Sequence, residues 1–462
     1  MRVSESNERA GYFWLPSNPN RKIPGTLSIK DGGKIELEVL GTFAEGIEAF
    51  RDNEDFSRIV GQVEQEGLVT LDSCFYTKKN ISFGGLARSK IYVAKVIAGV
   101  AYDHEEQVIL NSFTFAVEGL DEWVGFTGIN VTYADGYRSA QISYKPQDAV
   151  EYRISDDLTL SVNFGYTLPG APAITEAKIT QTAYITISSE KGMSLESFIE
   201  LTHKITSLLC FAIDETVSVK NVSGTCKEIQ TEIGDGKKRP VRMKIYYSSI
   251  SFAEQPPKIH WHMMLFRFPE VKETFDEIIS KWLEAYEVIA PALGLYFSTK
   301  NNAHRYLDSQ FLSLAQGIET YNRRTCTETQ MPEAEFEHFR EQIIESCEEE
   351  KRDWLRGRLL FANELSLSQR LKKTMAPFKK HIGNSDTRDK LIRKIVDTRN
   401  YLTHYDESLR ESAAQGQELW VVCMKLEAIF QLNFLSVLGF TDDQIELVVK
   451  NCHNLNRKLN EI

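Results

Sequence analysis

Between Asp397 and Asp406 the chain reads Asp397-Thr398-Arg399-Asn400-Tyr401-Leu402-Thr403-His404-Tyr405-Asp406, an arginine followed five positions on by a histidine. An imidazole titrates around pH 6.5, so His404 can take or give a proton as general base or acid. A guanidinium stays cationic and offers a planar fork to phosphate, so Arg399 can hold a phosphoryl group and stabilise charge growing on its oxygens. Asn400, directly after the arginine, lies four residues before the histidine and shares its helix face, where it can orient the imidazole or bind a further oxygen. Such a pair also arises by chance, and both cations suit an ordinary helix C-terminus, where the dipole favours them. Position separates the two readings.

The pair closes an amphipathic helix that starts near Ser385 and Asp386 and carries Leu391, Ile392, Ile395, Val396 and Leu402 at core-like spacing. Residues five apart on an ideal helix point about 140° apart. Arg399 and His404 therefore cannot face one way within a single chain unless the helix ends or loosens between them. Two protomers contributing to one cleft would ease this, so a dimer is expected.

Helical periodicity dominates after Pro269, with spans expected at 273–293, 304–325, 333–348, 351–365, 368–381, 386–404, 418–438 and 441–459. Pro377 should kink or split the helix that holds it. From about residue 12 to 190 the pattern has period two instead, clearest where Thr26–Ile29 and Lys34–Val39 alternate on both sides of Gly32-Gly33. Further strands are expected at 68–75, 91–102, 108–117, 139–144, 158–164, 183–188, 217–222 and 241–252, with one helix entered at Ser194. Pro256-Pro257 breaks both patterns. The expected fold is α+β: a β-rich N-terminal domain over residues 1–255, sandwich or barrel-like, then a helical bundle over 270–462.

Length and composition agree with this division. At 462 residues, and about 150 residues per domain, two or three domains are expected. No apolar run approaches the roughly 20 residues that span a bilayer, and no signal-peptide core opens the chain, so a cytoplasmic protein away from membranes is expected. The seven cysteines are scattered without a CxxC, which argues against a disulfide framework or zinc ribbon. A net charge of −11 is the wrong sign for coating nucleic acid, so any such contact needs a local basic surface. Lys351, Arg352, Arg356, Arg358, Arg370, Lys372, Lys373, Lys379, Lys380, Arg388, Lys390, Arg393 and Lys394 offer one ahead of Arg399, with solvated helix faces the alternative. His260 and His262 would share one strand face and could seed a metal site, though no third ligand stands nearby. Gly32-Gly33 and Gly84-Gly85 read as turns, Cys452-His453 as core or surface, and no GxSxG elbow is present.

The Arg-x4-His pair at the end of a late bundle helix, with Asn directly after the Arg, resembles the signature of the HEPN superfamily of helical ribonucleases. The segment from Arg305 to Tyr321 resembles the first long helix of ApeA-like HEPN domains, in which an acidic residue, here Glu319, faces the Arg-His site. With the β-rich N-terminal half, the whole is similar to the ApeA family of bacterial anti-phage abortive-infection proteins. That resemblance implies a metal-independent endoribonuclease without a cofactor, working as a homodimer or higher even oligomer. The substrate would be RNA, tRNA among the candidates, cut by 2'-hydroxyl attack to leave a 2',3'-cyclic phosphate, with Arg399, Asn400, His404 and Glu319 as site residues. It further implies that the N-terminal domain receives a phage-derived trigger or restrains the nuclease. Where some HEPN toxins carry a modifiable Tyr two residues after the His, this chain has Asp406. The competing class is a noncatalytic dimeric interaction or nucleotide-binding protein whose β-rich domain recruits a partner.

Overall fold

The hairpin at Gly32-Gly33 is the seed of a barrel. In the computed structural model, which describes residues 1–3, 7–43, 55–80, 87–171, 174–234, 236–300 and 306–460, β2 (Ile23–Lys30) and β3 (Lys34–Val39) pair from Lys30 opposite Lys34 to Gly25 opposite Val39. Gly33 sits at φ +71°, and a Cβ there would lie 2.1 Å from the Tyr247 carbonyl oxygen, so the turn needs glycine. β1 (Asn7–Trp14), β4 (Asp55–Val63), β5 (Gly67–Lys78) and β6 (Ser89–Ala98) complete the set. The order β6-β3-β2-β1-β4-β5, with β5 pairing back to β6, closes an antiparallel six-stranded barrel. Closure removes the free edges of these strands. Alternation puts Phe13, Leu27, Leu37, Ile59, Leu71 and Ile91 inside, all at 0–1% exposure.

The same sheet continues beyond the barrel. β6 is followed by β14 (Lys238–Tyr247), β13 (Val219–Glu232), β7 (Ile109–Val117), β12 (Thr180–Ser194), β11 (Leu158–Thr167) and β10 (Val150–Arg153), all antiparallel. A separate hairpin is made by β8 (Ile129–Ala134) and β9 (Ser139–Tyr144). Period two thus yields both a barrel and an open sheet. Of the strands, β1, β4, β8 and β10 escape the sequence reading, and β12 and β13 run well past their expected ends. The helix α1 (Leu120–Val124) was also not foreseen; Trp123 on it is fully buried and donates from Nε1 to the Phe266 carbonyl at 3.0 Å. The expected helix is α2 (Leu195–Ile213), capped by Ser194, whose hydroxyl accepts from the Ser197 N–H at 3.1 Å. It lies on the sheet through Phe198, stacked on Phe113 at 5.6 Å between centroids.

From Phe268 the chain is helical: α3 (Phe268–Val271), α4 (Phe275–Ser298), α5 (Leu307–Thr325), α6 (Glu333–Ser346), α7 (Glu349–Leu359), α8 (Leu367–Met375), α9 (Lys379–Ile382), α10 (Ser385–His404), α11 (Gly416–Val437), α12 (Asp442–Asn451) and α13 (His453–Asn460). Two expected helices are each split in two. Pro377 breaks one between α8 and α9, as anticipated; Cys452 breaks the other, which the apolar spacing did not reveal. The chain divides into compact units Met1–Ile279 and Ser280–Ile462.

In the second unit α11 is the core helix. It is long and apolar enough to cross a membrane by length and composition, yet 72% of its most apolar window is buried within the protein. Phe430 and Phe434 pack against Tyr296 of α4, and Phe434 against Tyr321 of α5. Gly317 lets α5 approach α11, since a Cβ at 317 would lie 2.6 Å from Phe430 Cζ. This contact fixes the turn of α5 that carries Glu319.

Candidate active site

Local sequence explains where α10 begins and ends. Gly383, at φ +113°, terminates α9, and the Asn384 side chain accepts from the Thr387 N–H at 2.9 Å to start α10. Ile392, Ile395, Thr398 and Leu402 form its buried face. Thr398 is fully buried, donates to the Lys394 carbonyl at 2.6 Å and accepts from the Ala414 N–H at 2.8 Å, pinning the following loop to the helix. Tyr405 adopts the left-handed conformation at φ +50°, and its N–H reaches the Tyr401 carbonyl at 2.6 Å. The helix is therefore unbroken through His404. The loosening that would turn Arg399 and His404 the same way does not occur, and they remain about 140° apart around the axis.

Arg399 lies against α5. Its Nη2 is 3.8 Å from Glu319 Oε2, and its Nη1 donates to Asn400 Oδ1 at 3.1 Å. The guanidinium is partly exposed, at 38%, and Glu319 more covered, at 19%. Three of the four residues singled out by the motif and the resemblance are thus brought together in one chain. His404 stands apart from them. It is exposed at the C-terminal end of α10, and among the described residues its ring has no hydrogen-bond partner. The nearby Asp406 carboxyl is held below the usual range mainly by the Ser408 hydroxyl and N–H, with a small contribution from His404.

Behind Glu319 runs a chain of charges that sequence reasoning missed. Glu319 Oε1 accepts from Arg323 at 3.0 Å, Arg323 also pairs with Glu364, and Glu364 Oε2 lies 3.4 Å from Arg370 Nη2. Arg370 is buried, 4% exposed, and donates to Asn322 Oδ1 at 3.1 Å and to the Leu365 carbonyl at 3.0 Å. Three guanidiniums face two carboxylates, leaving one positive charge to spare. Burial pushes the Arg370 pKa down, and Arg323 beside it adds to that shift. For Arg323 burial acts the same way, but the bonds to Glu319 and Glu364 outweigh it and raise its pKa. A sequence signal existed: Glu319 and Arg323 are four apart on a helix, and Arg370 falls beside Leu371 and Met375 on the buried face of α8. Neither signal says that the two segments meet.

The basic run ahead of Arg399 is largely spent on internal pairs. Lys351, Arg356, Lys372, Lys380 and Lys394 reach Glu348, Asp353, Asp389, Glu446 and Glu418 within 3.5 Å, Lys373 pairs with Glu328, and Arg370 is buried. Lys390 and Arg393 on α10 stay exposed without a described partner. His260 and His262 do not lie on a strand: they flank Trp261 at a 3₁₀ turn, rings 5.6 Å apart. Among the described residues no three His, Cys, Asp or Glu side chains converge as a metal site. Cys74, Cys210, Cys226, Cys423 and Cys452 are buried free thiols, and Cys326 and Cys347 are partly exposed. Gly84-Gly85 lies outside the described residues.

No curated protein and no solved structure matches the chain. Two family models do: ApeA N-terminal domain 1 over residues 8–282, and Apea-like HEPN over residues 312–444, a span that includes Glu319, Arg399, Asn400 and His404. HEPN domains generally bind RNA and dimerise. With the barrel-bearing β-rich half and the helical half each matched, the chain belongs to the ApeA-like HEPN anti-phage family, as a nuclease-type effector.

Proposed function

We propose that the C-terminal unit is a metal-independent endoribonuclease of the Arg-x4-His type, acting in the cytoplasm as an abortive-infection effector. The observation that carries this reading is Arg399 held by Glu319 and Asn400, with an exposed His404 at the end of the same helix. Arg399 binds a non-bridging phosphate oxygen, with the pull of Glu319 weakened by its shared bond to Arg323. His404 takes the proton from a ribose 2'-hydroxyl, the 2'-oxygen bonds to phosphorus, and the P–O5' bond breaks. The 5'-oxygen leaves with a proton supplied by a second imidazole, yielding a 2',3'-cyclic phosphate and a 5'-hydroxyl. The angular separation on α10 argues that Arg399 of one protomer works with His404 of another, so the active form is a homodimer. Lys390 and Arg393 extend the cationic surface toward the RNA backbone. DNA, lacking the 2'-hydroxyl, is not cut, and tRNA is the substrate to examine first. On this reading the domain boundary lies between residues 255 and 270, and the N-terminal half receives the trigger.

The test is toxicity and RNA integrity on overexpression. Arg399→Ala and His404→Ala, each folded, are expected to abolish both effects. Toxicity and RNA loss at the native level in both variants would refute the nuclease and favour a noncatalytic partner-binding protein.

A further inference from the structure

One joint in the N-terminal unit is a cavity. β5 holds one edge of β6 along its length, while β3 and β14 share the other: β3 pairs with Ser89–Tyr92, β14 with Lys95–Ala98. The two part at Val93-Ala94. Over this fork, beneath α2 and the segment after β14, lies a space of about 430 Å³ walled by Tyr92, Ala94, Ile199, Thr206, Val219 and Ile250. Ligand pockets run to about 300–1,000 Å³ and are mostly apolar with few polar groups, and this one fits both descriptions.

Its charges are already matched. Lys95 pairs with Glu196, and Glu200 with Lys204 at 3.0 Å. Burial lowers the pKa of His203, favouring its neutral ring. Thr206 differs: it is 1% exposed, and among the described residues its hydroxyl has no hydrogen-bond partner. Buried polar groups are nearly always paired, and leaving one unmade is costly. An extended peptide would seek a free strand edge, but both edges of β6 are occupied save for the two-residue gap, too short to pair a strand.

We propose that this cavity binds a small uncharged molecule, largely apolar, carrying one hydrogen-bonding group that meets Thr206 Oγ1 after a local side-chain shift. The cavity's lining belongs wholly to the first compact unit, and the inference does not depend on the ribonuclease reading. The experiment titrates the full chain with Prodan, a neutral naphthalene ketone whose emission moves to the blue in apolar surroundings. Saturable binding at one site per chain is expected. Thr206→Val keeps the shape and loses the hydroxyl, so the Kd should rise roughly three- to ten-fold. Ala94→Phe, filling the wall, and Ser248→Trp, closing the exposed rim, should each weaken binding at least about ten-fold while melting cooperatively. The rim variant touches no buried contact, so it remains informative if Ala94→Phe fails to fold. Absence of saturable binding to the native chain overturns the proposal, as does unchanged affinity in Ser248→Trp.

Discussion

Glu319→Gln separates a positioning role from a structural one. The substitution keeps the side chain's shape and removes a charge shared between Arg323 at 3.0 Å and Arg399 at 3.8 Å. Arg323 is 45% exposed and Arg399 38%, so solvent screens both pairs and each contributes about 0.2–1 kcal/mol. The expected cost is about 1 kcal/mol, a fall in Tm of roughly 2–4 °C for a unit of this size, and the fold survives. Cleavage should suffer more. With Glu319 gone, Arg399 keeps only its bond to the neighbouring Asn400, and misplacing a phosphate-binding group by about 1 Å can cost 100-fold. A drop in kcat of roughly ten- to hundred-fold is expected for a fluorogenic RNA. If Glu319 acts through Arg399, the substitution costs less than about two-fold in an Arg399→Ala background, because the two act as one unit. Native-like cleavage by Glu319→Gln, or losses that multiply in the double variant, would refute the reasoning.

Three further outcomes follow from the same structure. Arg370→Met leaves the Asn322 side-chain oxygen and the Leu365 carbonyl without their buried donor, and should cost about 2–3 kcal/mol, roughly 4–12 °C in calorimetry; a shift under about 1 °C would contradict the assigned contacts. In the folded protein a thiol reagent at neutral pH should modify only Cys326 and Cys347 quickly, because burial pushes Cys210 up to about 11 and Cys423 to about 12; rapid reaction of more than two thiols would count against the described burial. Burial acts to raise the Asp31 pKa, but the Val3 N–H at 2.8 Å and the Arg2 guanidinium outweigh it and hold the carboxyl below its ordinary value. Its stabilising contribution is thus complete above about pH 4 and lost as pH falls through the lower folded value. Asp31→Asn should flatten that acid limb of a Tm-against-pH curve, and an unchanged slope would argue against the pairing.

Much of this was written in the chain, for identifiable reasons. The β2–β3 hairpin, α2 with its Ser194 cap and the full span of α10 follow from period and caps that act within a few residues. Barrel closure is not local: β1-β2-β3 and β4-β5-β6 each pair between consecutive strands, but the two sets are joined by β1 with β4 and β3 with β6, which no turn specifies, and nothing in the alternation of Leu37 or Ile91 says whether a sheet closes. β1 and β4 were missed because Gly11 and Gly61 interrupt their alternation, and each is small so that its neighbours can approach: Gln62 O lies 2.3 Å from a Cβ at 11, the Phe13 ring 2.5 Å from one at 61. For the candidate site, the motif singles out Arg399, Asn400 and His404 and the resemblance adds Glu319; the fold brings Glu319 and Asn400 to Arg399 and leaves His404 apart. The Arg323–Glu364–Arg370 relay was invisible because residues some forty apart in sequence meet only once α8 packs on α5. The basic run misled in the other direction, since its charge count could not show that seven of its thirteen members pair with nearby acids.

The account's central claim is that Arg399 and His404 cut RNA through the ribose 2'-hydroxyl. Incubating the purified chain and its His404→Ala variant with a mixed tRNA pool, then typing the new 3' ends by their need for cyclic-phosphate opening before ligation, tests this most directly. The account expects 2',3'-cyclic ends from the native chain, with added EDTA making no difference, and none above background from the variant. Equal yields of the same ends from His404→Ala would contradict it.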